Sequence, residues 1–144
     1  MDVFEQNEKK CEKIRKHNAA LLEEFANFLK EKNLAAKTIQ KHCSNVVFFI
    51  NVFLLYEETI EAADGAEYIG DYLGFWFIRK AMWASPASIK ENASSLKKFY
   101  QFMHHNGKIP KEFLDELKQT IKEEMPEWIA TVERYDDPDI EDIW

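Results

Sequence analysis

The sequence has few glycines and few cysteines, and each shortage excludes a kind of site. Four glycines in 144 residues leave little room for a glycine-rich phosphate-binding loop. The two cysteines, Cys11 and Cys43, lack the paired spacing of a zinc site and fall at apolar positions of predicted helices. We therefore expect free thiols in a reducing, cytoplasmic compartment.

Long apolar runs are also missing. The stretch VVFFINVFLL at positions 46–55 is among the longest, and it is well short of the ~20 residues that cross a bilayer. The first ten residues are acidic and contain no apolar segment of the kind that indicates a signal peptide. The sequence therefore predicts a cytoplasmic protein with no membrane partner.

The histidines do not combine into a catalytic or metal site. His104 and His105 are adjacent, so on a helix they point about 100° apart and cannot easily bind one metal. His42 lies beside Cys43, but neighbouring helical positions diverge, and a thiol on the buried side of a helix is inert. The sequence predicts no enzymatic activity, no metal, no cofactor and no small-molecule substrate.

Charge is distributed unevenly along the chain. The net charge is −7, yet residues 1–110 hold 15 Lys and Arg against 14 Asp and Glu. Residues 111–144 hold 4 against 12. We expect a near-neutral helical domain at 1–125 and an acidic, partly helical tail at 126–144. Two roles for the tail stay open: a last helix packed on the body, or a docking segment, which Ile140 and Trp144 among acids would suit.

The periodicity of apolar residues predicts an all-α protein, a compact bundle of four or five helices. The first helix is long and should end near Asn33, which can adopt a left-handed conformation. The third, at about residues 68–83, is aromatic over much of its circumference, so we expect it to be central. The last helices have local boundary signals: Ser85-Pro86, Asn106-Gly107, Pro110, and Pro126, which should end or kink the fifth helix.

One helical pattern occurs twice. Residues 37–49 read KTIQKHCSNVVFF, residues 87–99 read ASIKENASSLKKF, and the two align without a gap. The apolar letters predict one buried stripe on each helix. For the second helix the stripe is Ile39, Cys43, Val46, Ile50 and Phe53; for the fourth it is Ile89, Ala93, Leu96, Tyr100 and Met103.

The expected exposed sides of the two copies carry lysines and small polar residues. On the second helix these are Lys37, Lys41, Ser44, Asn45 and Phe48; on the fourth they are Lys90, Ser94, Ser95, Lys97 and Lys98, interrupted by Glu91. Lysine attracts phosphate, and short hydroxyl or amide donors fit close to a nucleic-acid backbone. Faces of this kind are also usual on soluble helices, so the pattern by itself leaves both interpretations open.

Two segments, FANFLKEKNLAAKTIQKHCSNVVFFINVFL and SPASIKENASSLKKFYQFMHHNGKI, together resemble the core-binding, SAM-like N-terminal domain of phage-integrase-type tyrosine recombinases. The resemblance covers about residues 21–109. It implies a helical domain that lies against duplex DNA, as one half of a clamp whose other half is catalytic. Carried over to this chain, the family's DNA-facing positions are Lys37, Thr38, Lys41, His42, Ser88, Lys90, Ser94, Lys97 and Lys98.

The sequence departs from that family at several points. Ala35 stands where a capping residue is usual, and Glu91 puts a carboxylate on the expected DNA face. The catalytic half of a recombinase needs several cationic side chains and a tyrosine nucleophile. This chain has three arginines, Arg15, Arg79 and Arg134, and its Tyr135 is followed by carboxylates.

Two hypotheses follow. In the first, the chain is a non-catalytic DNA-binding module of DNA recombination or integration, which grips the backbone of duplex DNA. In the second, it is a helical protein-interaction module that has lost DNA binding. Its acidic tail would then dock to a separate recombinase or to another protein.

Overall fold

The computed structural model describes residues 2–135, which form five helices and no strand. The first helix, α1, spans Val3–Glu31. Asp2 caps its start, where the carboxylate accepts a hydrogen bond from Glu5 N at 2.8 Å. Asn33 follows its end with a φ of 65°, so the predicted end of the first helix is confirmed.

The second helix, α2, spans Ala36–Val47 and continues as a π-helical segment at Phe48–Phe53. As expected, Ala35 provides no side-chain cap. The buried face differs from the predicted one, because His42 is buried whereas Ile39 and Cys43 are only half-buried. A π turn changes the number of residues per turn, so positions before and after it do not share one 3.6-residue stripe.

Asn18 of α1 packs against this π-helical segment. Its side chain is fully buried, and its Nδ2 donates to Ile50 O at 3.3 Å and to Asn51 Oδ1 at 2.8 Å. The apolar face of α1 therefore contains one polar side chain because α2 presents acceptors there, and a buried amide needs partners.

The third helix, α3, combines Ile69–Asp71, a π-helical turn at Tyr72–Trp76, and Phe77–Lys80. Short 3-10 turns at Ala62–Asp64 and Ala66–Tyr68 lead into it. Gly65 joins these turns where the chain passes close to the core. A Cβ there would lie 2.6 Å from Leu54 Cδ1 and 2.7 Å from the Tyr100 hydroxyl, so this approach needs glycine.

The fourth helix, α4, spans Pro86–His105 and has the predicted boundaries. The Ser85 hydroxyl accepts from Ser88 N at 3.0 Å, and the Ser88 hydroxyl accepts from Ser85 N at 2.9 Å, which forms a reciprocal capping box. Gly107 ends the helix with a φ of 70°. The predicted stripe from Ile89 to Met103 is buried throughout.

The fifth helix, α5, spans Lys111–Tyr135 and passes through Pro126. Of the two outcomes expected at Pro126, an end or a kink, the structure therefore contradicts the first. Trp128 and Val132 beyond it are buried, so residues 126–135 pack on the body as a continuation of α5. The acidic residues after Tyr135, including Ile140 and Trp144 of the predicted docking segment, lie outside the described residues.

The centre of the bundle is α4, which contacts α1, α2, α3 and α5. This corrects the expectation that α3 is central: Tyr72, Leu73 and Phe77 are buried, but Phe75 of the same helix is exposed. Helix α4 buries residues on most of its circumference because it has neighbours on most sides. Across residues 2–135, no helix combines the length and the apolar character that crossing a membrane requires.

Candidate nucleic-acid interface

Packing of α2 on α4 brings equivalent positions of the repeated pattern together. Lys41 Nζ lies 2.6 Å from Glu91 Oε1, and Asn45 Nδ2 donates to Ser95 Oγ at 3.0 Å. Each pair is separated by 50 positions, which is the spacing of the two copies in the sequence. Asn45 Nδ2 also donates to Glu91 Oε2 at 3.1 Å, so one carboxylate holds two side chains of α2.

We call these polar contacts between α2 and α4 the seam. His42 joins the seam from its buried side. Its Nδ1 lies 2.7 Å from Ser95 Oγ, and Ser95 Oγ donates to Glu91 O at 3.1 Å. The Ser95 hydroxyl thus donates its hydrogen to Glu91 O and accepts from Asn45 with one lone pair. Its second lone pair can accept from an N–H at His42 Nδ1, which a neutral ring with its hydrogen on Nδ1 supplies. Burial lowers the pKa of His42 from its usual value, Lys98 and Lys41 lower it further, and Glu91 opposes them.

The structure corrects the expected exposure of His42. The residue is 7% exposed and its Nδ1 contacts Ser95 Oγ, so little of the ring is available to a phosphate. Ser95, which the sequence pattern also placed on the exposed side, is fully buried. Both residues contribute to the polar contact between α2 and α4.

The burial of His42 predicts a pH dependence of stability. The unfolded chain protonates His42 near pH 6.5, whereas the folded chain resists protonation, so the unfolded state binds more protons as the pH falls. The stabilising contribution is thus present above about pH 6.5 and is lost below it. We expect His42→Gln to weaken the decline in unfolding free energy between pH 7.5 and 5, measured by urea unfolding.

The exposed His17 provides the matched control for this experiment. The variant His17→Gln makes the same substitution at an exposed position of α1 and therefore controls for the substitution itself. Equal pH profiles for the two variants would contradict a neutral, buried His42.

The other residues that the sequence predicted to face DNA fall into two groups by exposure. Exposed are Lys37, Thr38, Lys41, Ser44, Lys90, Ser94 and Lys97, whereas Asn45, Ser88 and Lys98 are half-buried. The Ser88 hydroxyl is engaged in the cap of α4, where it also donates to Trp83 O at 3.1 Å. Since Lys41 and Lys98 both act on His42, these two lysines flank the seam between α2 and α4.

Helix α5 adds cations that the sequence reasoning missed. An open groove of about 580 Å³ is lined by residues of α4 and α5: Lys97, Asp115, Lys118, Gln119, Ile121 and Lys122. Lys118 and Lys122 are four positions apart, so they lie on one side of α5. Residues 111–144 have a large negative net charge, which hid this local pair of lysines in the sequence. We give the name lysine face to seven lysines of α2, α4 and α5: Lys37, Lys41, Lys90, Lys97, Lys98, Lys118 and Lys122.

Residues 2–135 contain no group of three or more His, Cys, Asp or Glu side chains arranged to hold a metal ion. Burial raises the pKa of the Cys43 thiol. A raised pKa disfavours the reactive thiolate, consistent with the inert cysteine expected from the sequence.

Comparison with known proteins relates part of this chain to a recombinase. A 90-residue stretch, 62% of the chain, is 29% identical to the tyrosine recombinase XerD of Listeria innocua. The stretch corresponds to 30% of that protein, so the chain spans less than a third of this relative. No family model matches the sequence, and no solved structure matches it. The chain thus contains a recombinase-related region on an all-helical fold.

Proposed function

We propose that this chain is a non-catalytic DNA-binding module that belongs to a DNA-recombination system and has the core-binding type of fold. The similarity to a tyrosine recombinase supports DNA as the partner. The all-helical bundle, in which the two copies of the repeated pattern pack together, is compatible with a domain that lies along a duplex.

The observation that carries the proposal is the composition of the lysine face. Lys37, Lys41 and Lys98 lie along the α2–α4 pair, and Lys97 lines the groove shared with α5. Ser44 and Ser94, at equivalent positions of the two copies, are exposed among them. Cations attract the phosphates, and short hydroxyl side chains can donate to phosphate oxygens, so the face suits the backbone more than the bases.

The arrangement of the arginines supports a non-catalytic role. Arg79 Nη1 donates to Phe75 O at 3.2 Å, and Arg134 lies 3.6 Å from Glu127 Oε1. Phosphoryl transfer to a tyrosine needs several cations converging on one phosphate. Arg79 and Arg134 are instead engaged locally, on α3 and α5.

Titration of the whole chain with labelled duplex DNA at several salt concentrations tests the proposal. We expect binding at ~50 mM salt with an affinity that falls steeply as salt rises, because each neutralised phosphate releases counterions. We also expect little dependence on DNA sequence and no cleavage. Absence of binding at ~50 mM salt, or affinity that is independent of salt, would overturn the proposal.

The protein-interaction hypothesis becomes the better one if DNA is not bound. Its test by truncation needs a different boundary from the one that the sequence indicates. Residues 126–135 belong to α5 and bury Trp128 and Val132, so a deletion of 126–144 would remove part of the core. A deletion that begins after Tyr135 removes the acidic segment and leaves the described helices intact.

A further inference from the structure

An open pocket of about 310 Å³ lies between α3 and the connection that follows α2. Five aromatic side chains line it: Phe53, Tyr56, Tyr68, Phe75 and Trp76. Two of these residues, Tyr56 and Phe75, are more than half exposed. A volume of about 300 Å³ is at the small end of ligand sites, so the pocket suits one side chain or one small group. We call it the aromatic pocket.

Two π-helical segments supply aromatic side chains to this pocket. Phe53 ends the segment that continues α2, whereas Phe75 and Trp76 belong to the π turn of α3. The Phe53 and Trp76 rings contact each other with their centroids 5.3 Å apart. Because π-helical turns are rare and frequently occur at functional sites, two that meet at one pocket favour a binding role for it.

The rim of the aromatic pocket is negatively charged. Glu57 and Glu58 of the connection and Asp71 of α3 also line the pocket, and all three are exposed. Among residues 2–135, these carboxylates have no ion-pair partner, and no lysine or arginine lines the pocket. Partial burial raises the pKa of the Tyr68 hydroxyl, and four carboxylates, Glu58 and Asp71 among them, raise it further. The pocket therefore favours a cation.

Cations of the same chain already contact two of the rings. The Arg79 guanidinium lies 3.9 Å from the centroid of the Phe75 ring, and Lys80 Nζ lies 5.2 Å from that of Tyr56. The electron-rich face of an aromatic ring attracts a cation in this way. Neither Arg79 nor Lys80 lines the pocket, so its interior is open to a cation from another molecule.

We propose that the aromatic pocket binds a lysine or arginine side chain within a basic segment of a partner protein. The rings would contact the cationic group and its aliphatic stem, while the carboxylates of the rim pair with this and neighbouring basic residues. The buried Nε1–H of Trp76 has no acceptor among residues 2–135. A peptide segment brings carbonyl acceptors, which a free amine lacks.

This inference goes beyond DNA binding and does not depend on it. The carboxylates of the rim repel phosphate, so the occupant of the aromatic pocket is not a nucleic acid. None of the seven lysines of the lysine face lines this pocket. A partner held here would therefore leave those lysines available to DNA.

Titration of the whole isotope-labelled chain with the basic peptide GSRKRSG, followed by NMR, tests the site. The indole N–H signal of Trp76 is assigned by its loss in Trp76→Phe. We expect this signal to shift as the peptide is added, whereas the signal of Trp128, which is 2% exposed, stays in place. The uncharged peptide GSQQQSG should shift neither signal.

A matched pair of double variants separates the pocket from net charge. Glu57→Gln with Glu58→Gln removes two carboxylates of the rim and should weaken the affinity for the basic peptide at least about fivefold. Glu23→Gln with Glu24→Gln removes another adjacent, exposed pair of glutamates on α1. This control should change the affinity by less than about twofold, because charges far from the ligand are screened by salt.

Four results would overturn the proposal. The first is a Trp76 signal that the basic peptide does not shift, and the second is equal weakening by the two double variants. The third is an equal shift caused by tetramethylammonium at the same concentration, which would assign the pocket to a free organic cation. The fourth is a shift of the Trp76 signal with protein concentration alone, which would identify a second copy of the chain as the occupant.

Discussion

Replacing Trp128 with alanine is expected to lower the free energy of unfolding by about 3–5 kcal/mol. The indole is 2% exposed and lies over Gly74 of α3, where an added Cβ would be 2.8 Å from Trp128 Cδ1. Its removal leaves a cavity between α3 and α5 that the surrounding helices can fill only by moving. Urea unfolding followed by far-ultraviolet circular dichroism measures the loss.

Glu127→Ala is the matched control, because it changes the neighbouring, exposed position of the same helix. It should cost no more than about 0.5 kcal/mol. A comparably small cost for Trp128→Ala would mean that residues 126–135 behave as a separate tail, in place of the packed last helix that the sequence also allowed. It would contradict the packing of α5 on α3.

A double-mutant cycle between Gly74 and Trp128 separates loss of the indole contact from general disruption of the fold. Gly74→Ala places a methyl group against Trp128 and should destabilise the wild-type chain. In the Trp128→Ala background the obstructing ring is absent, so the same change should cost much less. The coupling energy of the two changes then reports the contact itself.

Reversing two charges of the lysine face is expected to weaken binding to duplex DNA roughly tenfold or more at low salt. Lys97→Glu with Lys118→Glu changes one lysine on α4 and one on α5 that line the same groove. If each contacts a phosphate, the slope of log affinity against log salt should decrease by about two. Fluorescence titration over a series of salt concentrations measures both quantities.

Lys10→Glu with Lys13→Glu gives the same change in net charge at another place. These lysines line a groove against the connection at residues 59–61, away from the α4–α5 groove. The control pair should alter affinity only slightly. Glu91→Gln should instead increase the affinity for DNA, since it releases Lys41 from its ion pair. Equal weakening by both double reversals would show that binding follows net charge and does not use this face.

The ends of α1 and α4 could be predicted from the sequence because their signals are local. Asn33 and Gly107 adopt left-handed conformations that terminate a helix, and the Ser85 cap needs only residues within one turn. The buried stripe of α4 could be predicted as well. That helix has regular periodicity over its whole length and is packed on most sides.

The path of the chain through Pro126 could not be predicted in this way. Proline within a helix costs about 3 kcal/mol or more, because a hydrogen bond is lost and the ring crowds the preceding turn. Burial of an apolar side chain such as Val132 contributes about 1.5–3 kcal/mol, and the larger Trp128 contributes at least as much. The burial of both in the core offsets the cost of Pro126, and that burial is visible only in three dimensions.

The sequence by itself determined that the protein is all helical, where α1 ends, where α4 begins and ends, and that two similar helices carry lysines and small polar side chains. Tertiary structure decided which of those side chains are available. It buried His42 and Ser95 in the seam between α2 and α4, paired Lys41 with Glu91, and brought Lys118 beside Lys97. The physical reason is that helical periodicity defines the faces of one helix, whereas exposure and charge pairing depend on the neighbour that each face meets.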